Sequence, residues 1–178
     1  MSAARILEEY KDINRNPISN CGITVGLMNA NDPTRWRISL LGPKDTSYKN
    51  GLFYLSIQFP PDYPQKAPEV CFLTPIYHVN VNPRVPTTPG SESLGHVCIS
   101  TLNWWQPEYR MREVLTNIFA LFYMGNPESP YGLERASELK FNRNLYEEKI
   151  KFFTKKYANP MLGGRNFDRD NDWNFTYP

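Results

Sequence analysis

The sequence predicts an α+β fold, an antiparallel meander of four strands preceded by one helix and followed by further helices. Three observations carry that prediction. Runs of alternating apolar and polar residues cluster between residues 23 and 73, apolar stripes at spacings of three and four lie before and after them, and the two kinds of run are not interleaved. A chain of 178 residues, 40% hydrophobic and 21% charged, is long enough to bury a core of its own as one domain.

From Ser2 to Arg15, Ile6, Leu7, Tyr10 and Ile13 share one helical face, with Ser2 as the expected N-cap and Asn16-Pro17 as the stop. Three period-two runs follow, each reading as a half-buried strand: Ile23, Val25, Leu27; then Trp36, Ile38, Leu40; then Phe53, Leu55, Ile57, Phe59. After the proline-studded turn Pro60-Pro61-Asp62-Tyr63-Pro64, residues Glu69 to Leu73 supply the fourth. Periodicity is slight from Thr74 to Pro107. Within that segment Pro83 to Leu94, rich in Pro, Thr, Ser and Gly, reads as an inserted surface loop expected to be mobile. Met111, Val114, Leu115, Ile118, Leu121 and Phe122 mark a central helix ended by Gly125-Asn126-Pro127, and two more helices are expected near Leu133 to Leu139 and Asn144 to Tyr157. Residues 1–160 thus form the domain, and 161–178 a C-terminal extension that is either a loose tail or an arm whose aromatics dock.

Charge excludes some functions. Twenty basic and 18 acidic residues are mixed along the chain for a formal charge of +2, without the basic stripe that nucleic-acid binding needs. No stretch approaches the roughly 18 apolar residues of a membrane span, and the N-terminus turns charged before any apolar run develops. The expectation is a soluble intracellular protein, cytoplasmic and/or nuclear. Three widely spaced cysteines and two histidines offer neither a disulfide framework nor a paired metal-ligand motif, so no metal or cofactor is expected.

Cys71, within Val70-Cys71-Phe72, reads as core filler, and Cys21 carries no signal beyond that. Cys98, in Gly95-His96-Val97-Cys98-Ile99-Ser100, lies instead in an irregular polar segment, where nucleophile and core filler both stay open. His96 is on the same side of an extended chain, yet no Asp or Asn is in place to orient it, and a solvated histidine is the plainer reading. In His78-Val79-Asn80 the polar side chains serve either local turn chemistry or, for the Asn80 amide, a carbonyl under attack.

Four stretches, taken together and in order, are specific: Arg5-Ile6-Leu7-Glu8-Glu9 with Asn16-Pro17; Trp36 with Gly42-Pro43 and Tyr48-Lys49-Asn50-Gly51-Leu52-Phe53; Phe59 to Pro64 with Ala67-Pro68 and Val70; and Tyr77-His78-Val79-Asn80 with Val97-Cys98-Ile99-Ser100 and Trp105-Gln106-Pro107. Through them the chain from about Ala3 to Pro160 resembles the ubiquitin-conjugating enzymes, which accept ubiquitin or a ubiquitin-like protein as a thioester. The resemblance implies Cys98 as the thioester nucleophile, Asn80 as the neighbouring asparagine that steadies the oxyanion or supports the loop, and His78 as a structural histidine. It also implies four kinds of partner: ubiquitin or a ubiquitin-like protein, an activating enzyme, a ligase and substrate proteins.

The chain departs from the family pattern in several places. His78-Val79-Asn80 stands where the family usually has His-Pro-Asn, and the insertion precedes the cysteine. Ser100 and Ser129 occupy two positions where acidic residues are common near the active site. On the partner-facing surface Gln65 replaces a frequent phenylalanine and Pro107 is followed by Glu108. The first helix keeps Arg5 but also carries Glu8, Glu9 and Asp12. The expected function is acceptance of ubiquitin on Cys98 and its transfer to substrate lysines, usually with a ligase. The alternatives are a carrier for another ubiquitin-like modifier and a non-catalytic member that binds ubiquitin, with a thiol hydrolase less supported than either.

Overall fold

The structure, a computed structural model, describes residues 2–18, 21–83 and 87–162, apart from the side chain of Ser2. Strands β1 (Ile23–Asn29), β2 (Asp32–Leu41), β3 (Leu52–Gln58) and β4 (Glu69–Phe72) pair antiparallel in the order β1-β2-β3-β4. Register follows from the alternation read in the sequence. Leu27, Trp36, Ile57 and Val70 line up across the sheet, as do Val25, Ile38, Leu55 and Phe72, and then Ile23, Leu40 and Phe53. A slip of one residue would turn these rows to solvent, so burial of this face holds the pairing. On the other face Arg37 lies over the Tyr54 ring, 4.6 Å from its centroid.

Helix α1 (Ser2–Arg15) buries Ile6 and Ile13. After the sheet come a single turn, α2 (Ser100–Asn103), then α3 (Met111–Leu121), α4 (Leu133–Phe141), α5 (Arg143–Tyr157) and a short 3₁₀ turn over Pro160–Leu162. The α3 stripe packs as its spacing predicts, with Met111, Val114, Leu115 and Ile118 buried and Phe122 placed edge-on to Tyr48 and Phe53.

Three boundaries differ from the sequence reading. Strand β4 stops at Phe72, one residue early. Helix α3 ends at Leu121, before Gly125-Asn126-Pro127, because its chain tightens into three-residue turns there and the Leu121 carbonyl is taken by a side chain, His78. The inserted loop is shorter than Pro83 to Leu94. Residues 87–91 are exposed, but Leu94 is buried in the core and the Glu92 carbonyl accepts from Asn82 Nδ2 at 3.1 Å. An apolar side chain at the end of the polar run was enough to draw it inward. Residues 84–86 of the loop and 163–178 of the extension lie outside the described residues.

The backbone just beyond the loop sets the site. Gly95 has a φ of +78°, and a Cβ there would meet the Phe72 carbonyl oxygen at 2.2 Å. Only glycine lets this backbone come so close to β4. The Gly95 carbonyl then accepts from Phe72 N–H at 2.8 Å, and Val97 N–H donates to the Val70 carbonyl at 3.1 Å, so the chain runs along the free edge of β4 up to Cys98.

Candidate active site

Cys98 emerges from that edge with its backbone N–H donated to the Asn80 carbonyl at 2.8 Å. Its side chain is partly exposed, and its Sγ accepts one hydrogen bond, from Asn103 Nδ2 at 3.1 Å. Asn103 closes the α2 turn, where its own N–H reaches the Ile99 carbonyl at 3.0 Å and Leu102 beside it is buried. Cys71 is buried at the sheet, and Cys21 is partly buried, which pushes its thiol pKa up.

Segment 77–82 runs antiparallel beside the chain that leads to the cysteine, with Val81 paired to Val97. Asn80 N–H donates to His78 Nδ1 at 2.9 Å, which makes that nitrogen the acceptor and leaves Nε2–H to donate to the Leu121 carbonyl at 2.9 Å. Burial, the largest influence on this ring, holds its pKa down to about 4, so it is neutral at physiological pH. The Asn80 side chain is buried and fully engaged. Its Nδ2 donates to the carbonyls of Asn126 at 2.9 Å and Ser129 at 3.0 Å, and its Oδ1 accepts from Asn126 N–H at 2.7 Å. Ser129 therefore enters through its backbone, while its side chain and that of Ser100 are exposed.

The C-terminal helices brace this segment. Tyr146 OH accepts from Val79 N–H at 2.9 Å, and the buried Arg135 guanidinium donates to the carbonyls of His78 at 3.0 Å and Val81 at 3.3 Å. Tyr77 OH donates to Glu138 at 2.7 Å, and Tyr48 OH donates to the Tyr77 carbonyl at 2.8 Å. On the side of the insertion, His96 is partly exposed and is not bonded to Cys98. Its Nδ1 lies 2.6 Å from Tyr131 OH, a hydroxyl whose pKa is raised by burial first and then by its bond to Glu92.

The sequence model of the ubiquitin-conjugating enzymes matches residues 5–154. The chain belongs to the ubiquitin-conjugating enzyme family. Membership places it in the conjugation of ubiquitin or ubiquitin-like proteins, with activating enzymes, ligases and substrate proteins as its general classes of partner.

Within this family's usual His-Pro-Asn, proline has no backbone N–H to satisfy; here Val79 has one, and Tyr146 OH takes it. Val79 also packs on Gly125, where an added Cβ would meet its Cγ1 at 2.7 Å. A hydrogen bond and a close apolar contact thus stand where the family has a rigid ring.

The positions that the resemblance assigns to partner contacts form a second cluster. Trp105 Nε1 donates to the Pro64 carbonyl at 2.7 Å, which pins the loop bearing exposed Gln65 to the loop bearing Pro107. Arg5 is turned inward. It pairs with Glu9 and donates to the carbonyls of Tyr109 at 3.0 Å and Pro107 at 3.4 Å. The acidic residues that make the first helix unusual are answered within the chain. Glu9 is buried and accepts from Tyr63 OH and from Met111 N–H at the start of α3, both at 2.7 Å, while Glu8 pairs with Arg110 at 3.0 Å and Asp12 with Arg112 at 2.9 Å.

Sequence reasoning missed Arg135, Tyr146, Tyr131 and Asn103. The first three act across long sequence separations and carry no local signature. Asn103 had one, since it lies five residues after Cys98 and one helical turn brings it back. Among the described residues no three of His, Cys, Asp and Glu are grouped to hold a metal ion, and no helix is long and apolar enough to cross a membrane.

Proposed function

We propose that this protein accepts ubiquitin as a thioester on Cys98 and passes it to the amine of a substrate lysine. The observation that carries the reading is the setting of the Cys98 thiol: partly exposed, on a backbone tied to Asn80, beside a loop in which the Asn80 and His78 side chains are hydrogen-bonded. Loading is an exchange with an already activated thioester, in which the cysteine sulfur attacks the carbonyl and the activating enzyme's sulfur leaves. Transfer then requires the amine to reach the thioester carbonyl.

In this reading Asn80 supports the loop, because its amide is spent on Asn126 and Ser129. His78, neutral and bonded at both nitrogens, does the same for the turn. The exposed hydroxyls of Ser100 and Ser129 bring no negative charge to an incoming lysine. Gln65 and Pro107 form the ligase-facing surface, and Arg5 shapes it from behind.

The test is incubation with ATP, ubiquitin and an activating enzyme, followed by electrophoresis without reductant. A thiol-sensitive adduct is expected with the native chain and none with Cys98→Ala; an adduct that survives in Cys98→Ala would reject the assignment. Parallel reactions with other ubiquitin-like modifiers decide which modifier is carried.

A further inference from the structure

We propose that Asn103 is the oxyanion donor of this enzyme, a catalytic residue that serves the thioester on Cys98 in the place that Asn80 leaves unfilled. The proposal rests on the reading of Cys98 as the thioester carrier. Two observations lead to it. The Asn80 amide has both N–H groups directed to the carbonyls of Asn126 and Ser129 and its oxygen bound to Asn126 N–H, so it has no donor left for a substrate. Asn103, in contrast, already aims Nδ2 at Cys98 Sγ from 3.1 Å, and it is the only side chain bonded to that sulfur among the described residues.

The backbone of the turn holds Asn103 in place, and its side chain is exposed beside Cys98. Asn103 stands on a turn held by its own N–H to the Ile99 carbonyl, by Trp104 N–H to the Ser100 carbonyl at 2.8 Å, and by buried Leu102. Asn117 Nδ2 reaches Thr101 Oγ1 from α3 at 3.4 Å, and the Trp105 indole fixes the exit of the turn on Pro64. When the sulfur carries an acyl group, the carbonyl oxygen lies two bonds from Sγ, within the sweep of the same amide. As the lysine amine forms its bond to the carbonyl carbon, the π electrons move to that oxygen, and Asn103 Nδ2–H donates to the oxyanion. The C=O bond then re-forms, the C–S bond breaks with its electron pair leaving on Cys98 Sγ, and the surplus ammonium proton passes to water. A donor aimed at developing charge lowers the barrier for any nucleophile, since the charge arises on the same oxygen each time.

The experiment uses the full chain and its Asn103→Ala and Asn103→Leu variants, each loaded with ubiquitin to the same extent and then chased with free lysine or with free cysteine. Both variants should discharge about tenfold more slowly, less than the 10² to 10³ of a sealed oxyanion site because this one is open to water. The factor should be the same for lysine and cysteine, with the lysine concentration for half-maximal rate unchanged. Discharge at the native rate would overturn the proposal, as would slowing with lysine alone, which would mark a residue that receives lysine. If the native chain itself takes up no modifier from a panel of activating enzymes, the reading of Cys98 falls; if it loads and the variants discharge normally, only the role of Asn103 falls.

Discussion

Val79 shows how one substitution in a tight loop is compensated through a distant residue. Its N–H is buried and has Tyr146 OH as partner, and Tyr146 is in turn bonded to Tyr48. Tyr146→Phe should therefore cost about 1–3 kcal/mol, the penalty for a buried donor left without an acceptor. In a Val79→Pro background, which removes that donor, the same change should cost well under about 1 kcal/mol. Denaturant unfolding of the four chains checks this; equal losses in both backgrounds would show that the bond carries no weight. His78 gives a second prediction at this scale. Its pKa falls from 6.5 in the unfolded chain to about 4 in the folded one, so between those values the unfolded chain binds the extra proton. Its contribution is complete above the unfolded value and is lost as pH drops toward 4. Between about pH 7.5 and about pH 5 the native chain should lose roughly 2 kcal/mol more than His78→Gln does. Identical pH profiles for the two would contradict the neutral, buried ring. His78 and Asn80 could be singled out together because they lie two positions apart, whereas Cys98, eighteen positions after Asn80, stood out through its irregular polar segment and the family resemblance. Tyr146 and Arg135 were not, because a hydroxyl or guanidinium that satisfies a backbone group 50 to 70 residues away leaves no pattern along the chain.

Among the elements, the strands were the most legible, because alternation between Ile23 and Phe59 states both the strand and its buried face. Helix α3 was legible in its stripe but not in its end, which depends on His78 reaching the Leu121 carbonyl. The insertion was legible as a loop and misjudged at its far edge. Composition marks polarity and says nothing of the single leucine that the core accepts. Leu94→Ala should accordingly cost about 2–4 kcal/mol, as for other buried leucines, while replacing residues 87–91 with glycine and serine should stay within about 0.5 kcal/mol of the native chain. Thermal or denaturant unfolding distinguishes them, and a large loss from the second change would make the exposed segment part of the core.

Across the whole molecule, the site is assembled between two halves that the sequence presents in turn. The sheet edge supplies the track that carries Cys98, and the later helices and the turn before them supply Arg135, Tyr146 and Tyr131, which hold segment 77–82 and His96 against it. The α+β order and the family were readable from the spacing of several motifs at once; the bracing required the fold. The central claim is that this assembly makes Cys98 the carrier of a thioester, and the most direct measurement is the intact mass of the loaded protein followed by peptide mapping. The account predicts one modifier, joined with loss of water, on the peptide containing residue 98, released by thiol from the native chain and resistant to thiol in Cys98→Ser. A modifier mapped to Cys21 or Cys71, or a thiol-labile adduct on Cys98→Ala, would contradict it.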